Sequence, residues 1–148
     1  MSCFLRITVA IGLVAITFSA GAESRRYVAG PVAAHLVRVV DGDTIEVLAR
    51  IWPDHYVETL VRLAGIDAPE LHGRCAEEIA QAERAKARLA ALLAGQRLQL
   101  VEVRYGKYAG RVVARVLTAD GTDVAETLLR EKLARAYDGG RRAPWCPE

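Results

Sequence analysis

His35-Leu36-Val37-Arg38-Val39-Val40-Asp41-Gly42-Asp43-Thr44-Ile45-Glu46-Val47-Leu48-Ala49-Arg50 is the stretch on which the fold turns. Two runs rich in β-branched and apolar residues flank Asp41-Gly42-Asp43. An Asp-Gly pair between such runs is a strong short-range hairpin signal. Asp43 lies just beyond the glycine, where its carboxylate is expected to face solvent or an ion. By itself the motif marks a turn.

Outward from this hairpin the pattern continues. Ile51-Trp52-Pro53-Asp54-His55 reads as a turn, and Tyr56 to Ile66 gives a third strand with Leu60 and Arg62 on one face and Val61 and Leu63 on the other. Pro69 keeps Ala68 out of the helical region, so Asp67-Ala68-Pro69-Glu70 interrupts regular structure. Ala76 to Ala94 is dense in strong helix formers, with Ile79, Ala82, Ala85, Leu89 and Leu92 at helical spacing and Gly95 placed as the stop. Gln96–Val103 and Gly110–Thr118 follow as strands. Asp120-Gly121 makes a turn, and a second helix starts at Asp123, with Val124, Leu128, Leu129 and Leu133 on its buried side. The tail from Tyr137 reads as irregular. Three strands, a helix, two strands and a helix fit a β-barrel with helices (α+β): a five-stranded OB-like barrel with two packed helices.

The chain has 148 residues, of which 52% are hydrophobic and 26% charged, with a net charge of +2. That excludes collagen-like, low-complexity and disordered classes, and the charge is too small to mark a nucleic-acid binder. Residues 1–22 read as a signal peptide: Arg6, an apolar run from Ile7 to Ala20, then Ala20-Gly21-Ala22 as a cleavage motif. The run is shorter than the ~20 residues of a membrane-spanning helix. The expectation is cleavage before Glu23, export to the periplasm or medium, and no stable membrane association afterwards. Residues 23–31 read as a flexible leader and 32–148 as the domain. The mature chain keeps Cys75 and Cys146, an even pair that in an oxidising compartment points to one disulfide, with two free thiols as the alternative.

Chemistry-bearing residues fall in three segments. Besides Asp43, the stretch Arg62 to Glu70 packs one guanidinium and two carboxylates around a proline-fixed bend. Two aspartates plus the Ala68 carbonyl form a hard-oxygen set suited to Ca²⁺. The same stretch also reads as a charged loop in which a carboxylate neutralises Arg62, and the residues alone leave both readings open. Lys107-Tyr108-Ala109-Gly110-Arg111 puts an arginine, the bidentate partner of phosphate, at a strand start, where solvated charges are also common.

In this order around this strand-helix pattern, Asp-Gly-Asp-Thr, the Arg62–Glu70 segment and the Lys107–Arg111 segment resemble the staphylococcal nuclease (thermonuclease) family over about residues 35–138. The resemblance implies an SNase-like barrel and Ca²⁺-dependent hydrolysis of DNA and RNA to 3′-phosphate ends. It implies Asp43, Asp67 and the Ala68 carbonyl as metal ligands, Glu70 as general base, and Arg62 and Arg111 as phosphate-binding catalytic residues. Lys107, Tyr108 and Tyr137 take substrate-binding positions. Ala68 replaces a residue that is often threonine and keeps the carbonyl. Ala109 is an extra residue that threatens to displace Arg111. The segment Leu71–Arg74 is short where the family often carries a lysine-rich loop, which predicts weaker, more salt-sensitive DNA binding. With no room for the family's usual last helix before residue 148, a Cys75–Cys146 disulfide is expected to clamp the tail to the first helix.

His35, His55 and His72 are dispersed, and Trp52 and Trp145 are expected to cover apolar surface. The expected assembly is a monomer. The competing function is a catalytically inactive OB-type module for nucleic acid, another polyanion or a protein partner. Against it stands Glu70, which repels phosphate and which a binding module has no need of.

Overall fold

The computed structural model describes residues 27–107 and 110–146. The expected signal segment, Tyr108 and Ala109 lie outside the described residues. The elements run β1 (Tyr27–Val28), β2 (Val32–Val39), β3 (Thr44–Trp52), β4 (His55–Leu63), β5 (Ile66–Asp67), α1 (Ala76–Leu93), β6 (Arg97–Tyr105), β7 (Arg111–Leu117), α2 (Val124–Arg130) and β8 (Arg135–Ala136).

Strands β2, β3 and β4 form an antiparallel meander. β4 pairs in parallel with β7, β7 antiparallel with β6, and β6 with β2. The ring β2-β3-β4-β7-β6 therefore closes on itself, which removes the open edges a flat sheet would expose. Five barrel strands with α1 between the third and fourth make an OB-fold.

Alternation along the strands puts Ile45, Val47, Val61, Leu63, Leu98, Leu100 and Val116 inside, all at 0–1% exposure. Leu89 and Leu93 of α1 and Val124 and Leu128 of α2 join the same core. Burying a side chain of this size is worth roughly 1.5–3 kcal/mol, so this shared cluster is what fixes the helices to the barrel. No described helix is long and apolar enough to cross a membrane.

Several expectations shift. Tyr27–Val28 is not loose leader: it pairs with Val103–Arg104 along the same side of β6 that β2 occupies at Arg97–Leu100. Ile51, Trp52 and His55 lie within strands, and the turn shrinks to Pro53-Asp54, with Asp54 at φ 59°. Trp52 covers little there, being 71% exposed. The inward stripe of α1 is Glu78, Ala82, Ala85, Leu89 and Leu93, so Ile79 and Leu92 give way to their neighbours. At the two ends of α2, Asp123 accepts hydrogen bonds from the Ala125 and Glu126 amides and Arg130 lies in the last turn, both suited to the helix dipole.

Gly42 has a packing role. A Cβ there would come within 2.8 Å of the Cβ atoms of both Ala68 and Ala85. The turn between β2 and β3 is thus pressed against α1 and against the Asp67–Glu70 loop, and this contact carries Asp43 inward.

Candidate active site

Asp43 stands immediately before β3. Thr44 pairs with Arg62 across β3 and β4, and the Asp43 carbonyl accepts the Leu63 amide at 2.8 Å. The register therefore sets Asp43 beside Arg62. Arg62 Nη1 donates to Asp43 Oδ1 at 2.5 Å, and Nη2 donates to Asp67 Oδ1 and to the Ile66 carbonyl, each at 3.2 Å. One guanidinium fork thus joins the two aspartates, as bidentate geometry allows.

Of the two expectations for the Asp43 carboxylate, solvent or an ion, the first does not hold: Asp43 is 4% exposed, as the Gly42 packing requires. Thr44 Oγ1 and the Ala68 amide also donate to it, at 2.9 and 3.1 Å. Burial nonetheless pushes its pKa up to about 6; the Arg62 charge pulls the other way, and Asp41 adds to the rise. The Arg62 guanidinium, whose other branch goes to Asp67, does not fully offset the burial of Asp43.

Asp67 ends β5, which is held by β8 through Ile66–Ala136 and Asp67–Arg135 pairing. Glu70 projects from the loop that follows, its side chain 55% exposed. The loop rests on Glu78, whose buried carboxylate accepts the Arg74 amide at 2.9 Å and the Glu70 amide at 3.4 Å. Gly73 permits this, because a Cβ there would meet Glu78 Cγ at 2.5 Å. Glu78 thus holds the main chain that presents Glu70.

Arg111 opens β7 opposite Leu60 of β4. The Gly106 amide donates to its carbonyl at 2.9 Å, and a Cβ at 106 would clash with that oxygen at 2.7 Å. Gly110 before it has φ 77°, a backbone that favours glycine. Arg111 remains beside Arg62: the two share a cleft of about 710 Å³ with Arg104, Lys107, Tyr137 and Arg142. Five cations converge there among the described residues, with the Tyr137 ring 5.8 Å from the Arg62 guanidinium. A second cleft of about 900 Å³ is lined by Asp67, Glu70, His72 and Trp145. His35 and His55 stay on outer strand positions, with His55 Nδ1 at 2.8 Å from the Pro53 carbonyl.

Cys75 and Cys146 are bonded, with Cα atoms 6.0 Å apart. Glu78 lies beside them, but with both sulfurs in the disulfide this group offers no thiolate for a metal. Trp145, expected to cover apolar surface, instead stacks under Arg135 at 3.7 Å and approaches Asp67 Oδ2 at 3.4 Å.

Reading the sequence segment by segment misses Glu78, Arg142 and Trp145. Glu78 had a local signal, a carboxylate at the third helical position able to accept main-chain amides. Arg142 and Trp145 had none within their own segment. The described donors fit a hard cation: the two aspartates meet at one guanidinium, all their donor atoms are oxygens, and positive charge is already drawn to them.

A family model described as staphylococcal nuclease homologue matches residues 60–144. A protein of Escherichia coli named "Uncharacterized endonuclease" is 29% identical over 119 residues, covering 78% of this chain and 68% of its own length. One from Shigella flexneri named "Micrococcal nuclease" is 38% identical over 110 residues, covering 69% of this chain and 56% of its own length.

Proposed function

This chain belongs to the family of staphylococcal nuclease homologues, and from that premise we propose that it is an exported nuclease, dependent on Ca²⁺, that hydrolyses DNA and RNA to 3′-phosphate ends as a monomer. The observation that carries the reading is the Arg62 fork between Asp43 and Asp67, set beside the cation-walled cleft and followed by the exposed Glu70.

A phosphodiester carries one negative charge, and attack by water adds more at phosphorus. Arg62 and Arg111, held on adjacent strands, meet the non-bridging oxygens and balance that charge as it grows. Glu70 removes one proton from the attacking water; the new O–P bond forms as the bond to the 5′ oxygen breaks, leaving phosphate on the 3′ side, and the departing 5′ oxygen takes up a proton from solvent water to become the 5′ hydroxyl. Lys107 and Tyr137 line the cleft along which a strand lies. Ca²⁺ bound by Asp43, Asp67 and the Ala68 carbonyl would supply Lewis acidity to the phosphate and a more acidic water.

The decisive assay is cleavage of single-stranded DNA by the purified protein in Ca²⁺ and in excess chelator. Cleavage that stops in chelator and returns with Ca²⁺ is expected; a folded protein that binds DNA without cutting it would replace this reading with the binding module. Export makes a separate prediction. The mass of the mature protein should correspond to an N-terminus at Glu23, and a chain still beginning at residue 1 would overturn signal cleavage.

A further inference from the structure

The tail is a strap. From Tyr137, whose amide donates to the Gly65 carbonyl at 2.9 Å, the chain turns back on itself as the Tyr137 hydroxyl donates to the Gly140 carbonyl. Farther on, Arg135 donates to the Pro144 carbonyl at 2.9 Å and stacks on Trp145, and Cys146 is bonded to Cys75 at the head of α1. Arg142 lies between these anchors. Its Nε is 3.0 Å from Asp67 Oδ1 and its Nη1 is 2.5 Å from Glu70 Oε1. Among the described residues it is also the one that lines both clefts, the cation-walled one and the carboxylate-bearing one.

We propose that Arg142 is a strapped-in counter-ion that holds Asp67 and Glu70 in the metal-free protein and that a divalent cation must displace, so that the tail sets the metal concentration at which the site loads. The inference rests on the metal reading given above. Asp67 Oδ1 already accepts from both Arg62 and Arg142, so a divalent ion bound at that oxygen must displace one of them, and Arg142, which also pairs with Glu70, is the more exposed of the two. The arginine is 45% exposed at its side chain, so it can leave without opening the core. The disulfide and the Trp145 stack keep it near when it does, which makes it a local competitor at high effective concentration.

Calorimetric titration of Ca²⁺ into the metal-stripped protein tests this without recourse to activity. Arg142→Gln is expected to bind Ca²⁺ about three- to tenfold more tightly than wild type, the combined worth of two partly exposed ion pairs. Arg142→Lys, which keeps the charge, should stay nearer wild type. A Cys75→Ser, Cys146→Ser double variant should shift in the direction of Arg142→Gln; if it does not fold, the arginine variants decide alone. Equal or weaker binding by Arg142→Gln overturns the inference and leaves the metal reading standing. Absence of binding by wild type and variant alike overturns both.

Discussion

Glu70→Gln is expected to slow cleavage of single-stranded DNA by about 10²- to 10⁴-fold, the usual contribution of a positioned general base, while leaving the fold as it is. The substitution removes basicity and little else. The side chain is half exposed, and the amide oxygen of glutamine can still accept the hydrogen bond that Arg142 gives. The Glu70 main chain is held from below by Glu78 through an amide the substitution does not touch. A surface change of this kind alters stability by no more than about 0.5 kcal/mol. The loss should therefore appear in the single-turnover rate with an unchanged melting curve. Undiminished cleavage would mean that another group takes the proton; the nearby carboxylates of Asp43, Asp67 and Glu78 are engaged by Arg62 and by main-chain amides.

What was legible in the sequence was local. Period-two alternation exposed the barrel strands, and the density of strong helix formers exposed α1, because these patterns report the burial of one face. That Asp43, Arg62, Asp67, Glu70 and Arg111 belong to one site is implied by the family resemblance that the three charged segments carry in their order, since each segment alone leaves its reading open. Position within a segment was less legible. The stripe of α1 keeps Ala82, Ala85 and Leu89 and departs from the apolar pattern only at its ends, where Leu93 replaces Leu92 and Glu78, polar by composition, turns inward to accept main-chain amides from the preceding loop. Asp43 reads as a surface carboxylate because nothing in its hairpin announces that Gly42 will lie against Ala68 and Ala85, residues 26 and 43 positions away. The tail was the least legible part. Composition called it irregular, which it is, yet an irregular segment tied down at Arg135, Trp145 and Cys146 can place a side chain as firmly as a helix. The Cys146 tie is expected from the even cysteine pair and is found, whereas the Arg135 and Trp145 ties are long-range contacts with no periodicity to announce them.

The second large effect concerns the charge that holds the site together. Arg62→Ala is expected to destabilise the metal-free protein by about 3–5 kcal/mol, as removal of one partner from a buried ion pair does, and to reduce cleavage by about 10²- to 10³-fold through loss of a preorganised charge at phosphorus. The guanidinium is 12% exposed and reaches two carboxylates that are 4% and 5% exposed. Without it Asp67 still has Arg142, whereas Asp43 keeps only the Thr44 hydroxyl and the Ala68 amide.

The deficit should depend on pH in a defined direction. In wild type Asp43 titrates at about 6, above its ordinary 3.8, so between those values the folded form keeps a proton that the unfolded chain has released, and stability falls as pH rises. Removing the Arg62 attraction moves the Asp43 pKa further up. Above pH 6 the folded variant then holds more protons than folded wild type, and the stability gap widens as pH increases. Arg62→Lys should fall between the two, supplying charge without the fork that reaches both aspartates. Urea unfolding of the metal-free proteins at pH 5 and pH 8 measures the gap directly. A gap that is small at both values would mean that Arg62 does not hold the two aspartates together. A gap that is large but equal at both would assign its role to packing rather than to charge.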